Sequence, residues 1–454
     1  MKMLIKNQLF LRLHRAQLIA ILLSTLFSFA GVFFTASARA SDSSPVDELA
    51  EEPMGSRQAM PLGKADCGTM EIWDYPTAMC MPRAMPGMKM RMLMAHGNGF
   101  LTETVEEGKR GQNALTLPDM FMVDIGSSLG DHHYLNLDFM GTAERWTYPT
   151  AGYPEFLQIG ERNTNGVPFL DHQHPHNSPI MGLTLSDTVS IGDDHDSVKF
   201  FFAPRGSSTD GPVPFMHRLT GMINPDAPLG HHIGQDVGHI SSTVAGAALN
   251  IQSTVLEISS FNGTEPEPES VDLHIGRLNS FATRLTQEFS TDLYGMISAA
   301  YIKSPEADQP ELDHVWRYSA SIYAHHAHKN GWAVDQAFIY GLIKNYDHTS
   351  ALTSLADEWW VRKDRKNFWG RLEVLQRTAG ELQITSAEPN QARWVTALTL
   401  GYTHKIVKWE SAELGLGGSI TKDFVPHNFE SAYGGDPLAA KIFIQATGMG
   451  MWNF

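Results

Sequence analysis

The sequence predicts an all-β fold: an antiparallel transmembrane β-barrel of about 12–16 strands, preceded by a flexible Met-rich N-terminal extension. Three observations carry that prediction. The chain opens on a secretory leader, and after about residue 117 it continues as repeated period-two segments. No second apolar run of about eighteen residues follows Thr35, so membrane crossing by the mature chain would require a barrel.

Residues 1–40 carry Lys2, Lys6, Arg12 and Arg15, then an uncharged apolar run from Leu18 to Thr35, then Ala38-Arg39-Ala40. That order is a signal peptide with a small-residue cleavage site, expected to be cut after Ala40. An uncleaved anchor is the alternative; the acidic, Pro- and Ser-containing stretch that follows favours cleavage. Losing the leader takes five basic residues from 34 Lys+Arg and none from 50 Asp+Glu, leaving 29 against 50 and a formal charge of −21. A chain so acidic is a poor ligand for nucleic acid. Only Cys67 and Cys80 enter an oxidising compartment, where a short-loop disulfide is the ordinary outcome and soft copper ligation the other reading.

Residues 41–115 form the expected extension, mostly irregular and periplasmic. Met54, Met60, Met70, Met79, Met81, Met85, Met88, Met90, Met92 and Met94 place ten of the 21 methionines within 41 residues. Thioether sulfur is a soft, uncharged ligand that prefers Cu(I). The run Met85, Met88, Met90, Met92, Met94 and His96 is therefore a candidate Cu(I) site. Packing as adaptable apolar groups is the competing explanation, and the interleaved Lys89 and Arg91 weaken a cation site.

Residues 116–454 are expected to form the barrel. Phe368, Gly370, Leu372 and Val374 share one face of a strand and Asn367, Arg371, Glu373 and Arg377 the other. Tyr318, Ala320, Ile322 and Ala324 alternate in the same way. So do Trp394, Thr396, Leu398, Leu400 and Tyr402, whose terminal aromatics lie roughly 26 Å apart along the strand, the spacing of two interfacial girdles. Asn330-Gly331 predicts a tight type I′ hairpin. The chain closes on Trp452 and Phe454, which resembles the C-terminal signal of outer-membrane barrels. A soluble β-sandwich or propeller also alternates, but no fixed repeat of about 40–50 residues is present.

Histidines supply the second candidate centre: His172, His174 and His176 in Asp171–His176, then Met216-His217, His231-His232 and His239. Spacing of i, i+2, i+4 puts three imidazoles on one side of an extended backbone, suited to Cu(II), Zn²⁺ or Ni²⁺. A loop whose histidines hydrogen-bond to carbonyls and carboxylates is the plainer explanation. No phosphate-binding glycine loop, G-x-S-x-G elbow or H-E-x-x-H helix occurs, so the expectation is a protein that is not an enzyme.

The runs Gly152–Glu161, Asp171–His176, Phe215–Arg218, Asn224–His232 and Ser260–Pro266 resemble a family of largely uncharacterised exported proteins, whose members are often encoded near copper and heavy-metal efflux systems. The arrangement of a Met-rich leader before a barrel is also similar to copper resistance protein B, although this leader has few histidines. The resemblance implies an outer-membrane barrel involved in copper or heavy-metal binding, tolerance or export. Its partners would be outer-membrane lipid, metal ions and periplasmic copper carriers or efflux components. The alternative is a porin-like channel for small solutes, its lumen lined by residues such as Arg371, Glu373 and Arg377.

Overall fold

Alternation of polar and apolar side chains along a strand has a physical consequence when many such strands follow one another: the sheet closes, with one face inward and one outward. A computed structural model has that form. It describes residues 71–74, 79–82 and 91–453, apart from 164, 166, 177, 192–195, 267–269, 272, 306–311, 346–350 and 410. The leader, Cys67, Met85, Met88, Met90 and Phe454 lie outside these residues.

Two short segments, β1 (Glu71–Asp74) and β2 (Met79–Pro82), pair with each other. The barrel proper starts at β3 (Arg91–Glu107), followed by β4 (Asn113–Thr116), β5 (Asp119–Leu129) and β6 (His133–Gly141). A small two-stranded sheet comes next, β7 (Tyr153–Arg162) with β8 (Pro168–Gln173). The wall resumes with β9 (Ile180–Ile191), β10 (Asp196–Gly206), β11 (Ser241–Ile251), β12 (Thr254–Asn262), β13 (Ser280–Ser290) and β14 (Leu293–Lys303). It is completed by β15 (His314–Ala327), β16 (Ala333–Lys344), β17 (Ala351–Lys363), β18 (Lys366–Arg377), β19 (Arg393–Lys408), β20 (Ala412–Phe424) and β21 (Leu438–Asn453). Each pairs antiparallel with its neighbour, and β21 closes on β3, Ala439 facing Glu106 and Trp452 facing Leu93. Since β4 and β5 are successive parts of one strand along β3, interrupted near Pro118, the barrel has 16 strands.

Two expectations need correction. The barrel begins at Arg91, not near residue 116, because residues 91–107 already alternate: Met92, Met94, Phe100, Thr102 and Thr104 are buried while Arg91, Leu101, Glu103 and Val105 are exposed. What reads as a Met-rich tail is, from Arg91 on, a strand with methionine on its inward face. Asn330-Gly331 does join two antiparallel strands, but through the three-residue loop Lys329-Asn330-Gly331, closed by Gly331 N–H to His328 C=O (3.0 Å) and His328 N–H to Trp332 C=O (2.7 Å), with Gly331 at φ 84°.

Outward positions carry Phe121, Ile125, Phe200, Phe202, Ile258, Phe281, Ile297, Phe368, Leu400, Ile420 and Ile442, all exposed. Trp394 (51% exposed) and Tyr402 (36%) share that face, and Asn367, Arg371, Glu373 and Arg377 point inward and are buried.

Burying those charges inside a barrel requires partners, and two long connections supply them by folding into the lumen. The first, residues 142–179, contains a helical turn at Glu144–Thr147 and the β7–β8 sheet. The second, residues 207–240, runs almost wholly buried from Ser208 to His239 and contains the turns His231–Gln235 and Val237–His239. Arg218 pairs bidentately with Glu358 (2.9 and 2.8 Å), and Thr220 joins the same carboxylate at 2.8 Å. Arg371 donates to the Asp226 and Ala227 carbonyls (3.0 and 2.6 Å), and Arg377 to those of Leu157 (3.1 Å) and Leu229 (2.5 Å). The wall and the second connection approach so closely at Ile233-Gly234 that a Cβ on Gly341 would sit 1.9 Å from the Ile233 carbonyl oxygen.

A candidate metal centre in the lumen

The second inward connection turns sharply at Gly230–His239, and the first leaves β8 at Gln173, where Pro175 ends strand pairing. These two ends meet. His174 and His176 from the first connection, and His231, His232 and His239 from the second, form one buried group of five imidazoles. Ring centroids are 4.6 Å apart for His231 and His232, 5.4 Å for His231 and His239, 5.7 Å for His176 and His239, and 5.8 Å for His174 and His232.

Carboxylates surround the group. Glu144 accepts hydrogen bonds from both the backbone N–H (2.9 Å) and Nδ1–H (2.8 Å) of His176. Asp236 lies 3.5 Å from His231 Nδ1 and 3.6 Å from His239 Nδ1, and His239 Nδ1–H donates to the Asp236 carbonyl at 2.7 Å. That last bond puts the free lone pair of His239 on Nε2, which has no hydrogen-bond partner among the described residues. The same holds for His232 Nε2, while His231 Nδ1 faces the Asp236 carboxylate. His231, Asp236 and His239 each offer a ligand atom, all within 4.8 Å of one another, and His231, His232 and Glu265 form a second such trio.

Burial favours the neutral form of three of the five imidazoles. Burial, reinforced by neighbouring imidazoles, pushes His174 and His232 well below the usual histidine range and brings His239 down to about 4. Burial alone would lower His176 too, but the Glu144 carboxylate outweighs it and raises that group. For Asp236 burial works upward, and His239 and His231 overcome it, so its carboxyl is held below the ordinary value. His174, His232 and His239 are thereby disfavoured from taking a proton, and neutral imidazole is the form that a divalent cation binds without first displacing one. The Glu144–His176 pair has the form of an outer carboxylate orienting a ligating histidine.

Of the residues expected at a metal site, His174, His176, His231 and His232 come together here. His172 does not: the strand continues through it, and its Nδ1–H is spent on the Leu170 carbonyl at 2.7 Å. Met92, Met94 and His96 on the wall, with Met216 and His217 of the second connection, lie in a separate group considered below. Glu144, Asp236 and Glu265 are the participants sequence reasoning missed. The spacing Asp236-x-x-His239 was the available signal, hidden among many acidic residues. A cavity of about 210 Å³ borders the site, lined in part by His239, His217, Met122, Asp124, Asp210 and Glu257.

Arg371, Glu373 and Arg377 are lumenal, as a porin would require, but their charged ends are occupied: Arg371 and Arg377 by loop carbonyls, Glu373 by Leu229 N–H (2.6 Å) and Arg371 Nε (2.9 Å). They fasten the inner loop to the wall.

The chain matches no protein-family model and no curated protein sequence. Among solved structures it is similar to an anion-selective porin from Comamonas acidovorans (10% identity over 78% of this chain and 98% of that one, TM-score 0.46). It is also similar to OprB of Pseudomonas putida (12%, 79% and 93%, 0.45) and to a loop-deleted OmpT, an outer membrane protein of Vibrio cholerae (9%, 79% and 99%, 0.43).

Proposed function

We propose that this chain is an outer-membrane barrel that binds a transition metal ion, copper foremost, at the histidine cluster inside its lumen, as part of metal tolerance or export. The membrane assignment is supported by the exterior: large aliphatic and aromatic side chains at outward positions of successive strands would be costly in water and are stabilised in a bilayer. The metal assignment is supported by one observation above all. Five imidazoles and an aspartate converge in a buried space, and Nε2 of His232 and of His239 have no hydrogen-bond partner among the described residues. Leaving a buried polar atom unpaired costs about 1–3 kcal/mol, a cost that a bound cation removes. Imidazole with carboxylate is a donor set for Cu(II), Zn²⁺ or Ni²⁺ rather than for Mg²⁺ or Ca²⁺.

Titration of the folded full chain in detergent with Cu(II) and Zn²⁺ tests this reading. Saturable binding that the pair His231→Ala and His239→Ala weakens by about tenfold or more, as loss of ligating and orienting groups does elsewhere, is the expected result. Equal binding by wild type and the pair would refute it.

A further inference from the structure

A second group of ligand atoms lies on the barrel wall, and its placement follows from strand register. Met449 of β21 is the direct partner of His96 on β3, His96 of Met122 on β5, and Met122 of Met140 on β6. Directly paired positions bring side chains on one face to about 4.5–5.5 Å at Cβ. All four residues are buried, so the inner wall carries a row of thioether, imidazole, thioether, thioether across four adjacent strands. One register step along, Met451 faces Met94, and Met216 joins from the inner loop.

Apolar filling alone does not account for the composition. Among the described residues, the nine buried members of this cluster are all methionine, whereas none of the 23 in the largest lumenal cluster is, and there Leu, Ile, Phe and Ala serve the same purpose. A wall needing only volume has no reason to change side chain so completely between neighbouring sectors. A site needing soft, uncharged donors does. Two further facts point to a ligand. His96, only 8% exposed, has an Nδ1 with no hydrogen-bond partner among the described residues. The ring of His217 stands 6.2 Å from it, and Met122, Met140 and His217 all border the 210 Å³ cavity.

We propose that this row binds soft monovalent cations, Cu(I) or its analogue Ag(I), each held between neighbouring members of the series Met449, His96, Met122 and Met140 and separate from the histidine cluster. Binding is ligand exchange with no electron transfer. It goes beyond the reading above, and either site can fail without the other.

The test uses the full chain in detergent, with methionine methyl groups labelled with carbon-13 and Ag(I) added under nitrate. Met→Leu substitution, one position at a time, assigns the Met122, Met140, Met449 and Met296 resonances while conserving volume. The expected result is that the first three shift together on one saturation curve, that Met296 on the opposite wall does not move, and that the pair His231→Ala and His239→Ala leaves the three shifts intact. The double variant Met122→Leu and Met449→Leu, with the barrel folded by circular dichroism, should abolish the response of Met140. Unmoved Met122, Met140 and Met449 methyls overturn the proposal, as does a Met140 response that survives the double variant. Loss of all three shifts on removing His231 and His239 would make the two sites one and overturn it equally.

Discussion

Residues inside this barrel fall into those that hold and those that are held ready. Glu358 is of the first kind: buried, it binds the Arg218 guanidinium through both oxygens and accepts from Thr220. Glu358→Gln should leave a buried guanidinium without its counter-charge and destabilise the barrel by about 3–5 kcal/mol, read as a lower midpoint of urea unfolding in detergent. An unchanged midpoint would mean that the inner loop is not anchored there. Asp236 is of the second kind. Asp236→Asn preserves shape but removes the charge that His231 and His239 face, so Cu(II) affinity should fall by about ten- to a hundredfold with the urea midpoint nearly constant. The inward direction of Arg371, Glu373 and Arg377 was legible from period-two alternation alone. Their loop partners were not, because those are backbone carbonyls and one backbone N–H between 144 and 220 residues away in sequence, and no local pattern encodes them.

At the scale of elements, the inner connections decide what the barrel can do. Gly341 is the point where β16 lets the Ile233 carbonyl approach, and Ser354 Oγ donates to that carbonyl at 2.8 Å. Gly341→Val should push the His231–Gln235 turn off the wall, and Cu(II) binding should weaken while the exterior and the strand content stay as they are; undiminished binding would show that the turn does not need this contact. Replacing residues 208–239 by a short Gly-Ser link removes the second connection and should open conductance in planar bilayers well above that of the full chain. Equal conductance would show that the connection does not block the lumen. The spacing of His172, His174 and His176 delivers two of the three imidazoles to the cluster but does not set all three on a single face. The strand ends at Gln173, after His172 and before Pro175, so the three imidazoles follow two different backbone paths. Met92 and Met94 were misassigned to a free arm for a related reason: methionine has no strand signature of its own, and alternation from Arg91 on is visible only once the charged and polar residues between are counted.

For the whole molecule, barrel closure brings β3 and β21 together from opposite ends of the chain, and with them Met449 and Met451 against His96 and Met94. No sequence window contains that row. The all-β class and the outward-facing aromatics follow from alternation, a local property; the filled lumen follows from two long connections whose polar, Gly- and Pro-rich composition resembles ordinary surface loops. The proposed function rests on what the filled lumen encloses. Metal analysis with K-edge X-ray absorption on the full chain isolated from outer membranes tests it most directly. Copper or zinc in an imidazole-rich nitrogen and oxygen shell, its scattering lost in His239→Ala, is the expected result. Metal-free protein, or a spectrum that His239→Ala leaves unaltered, would contradict it.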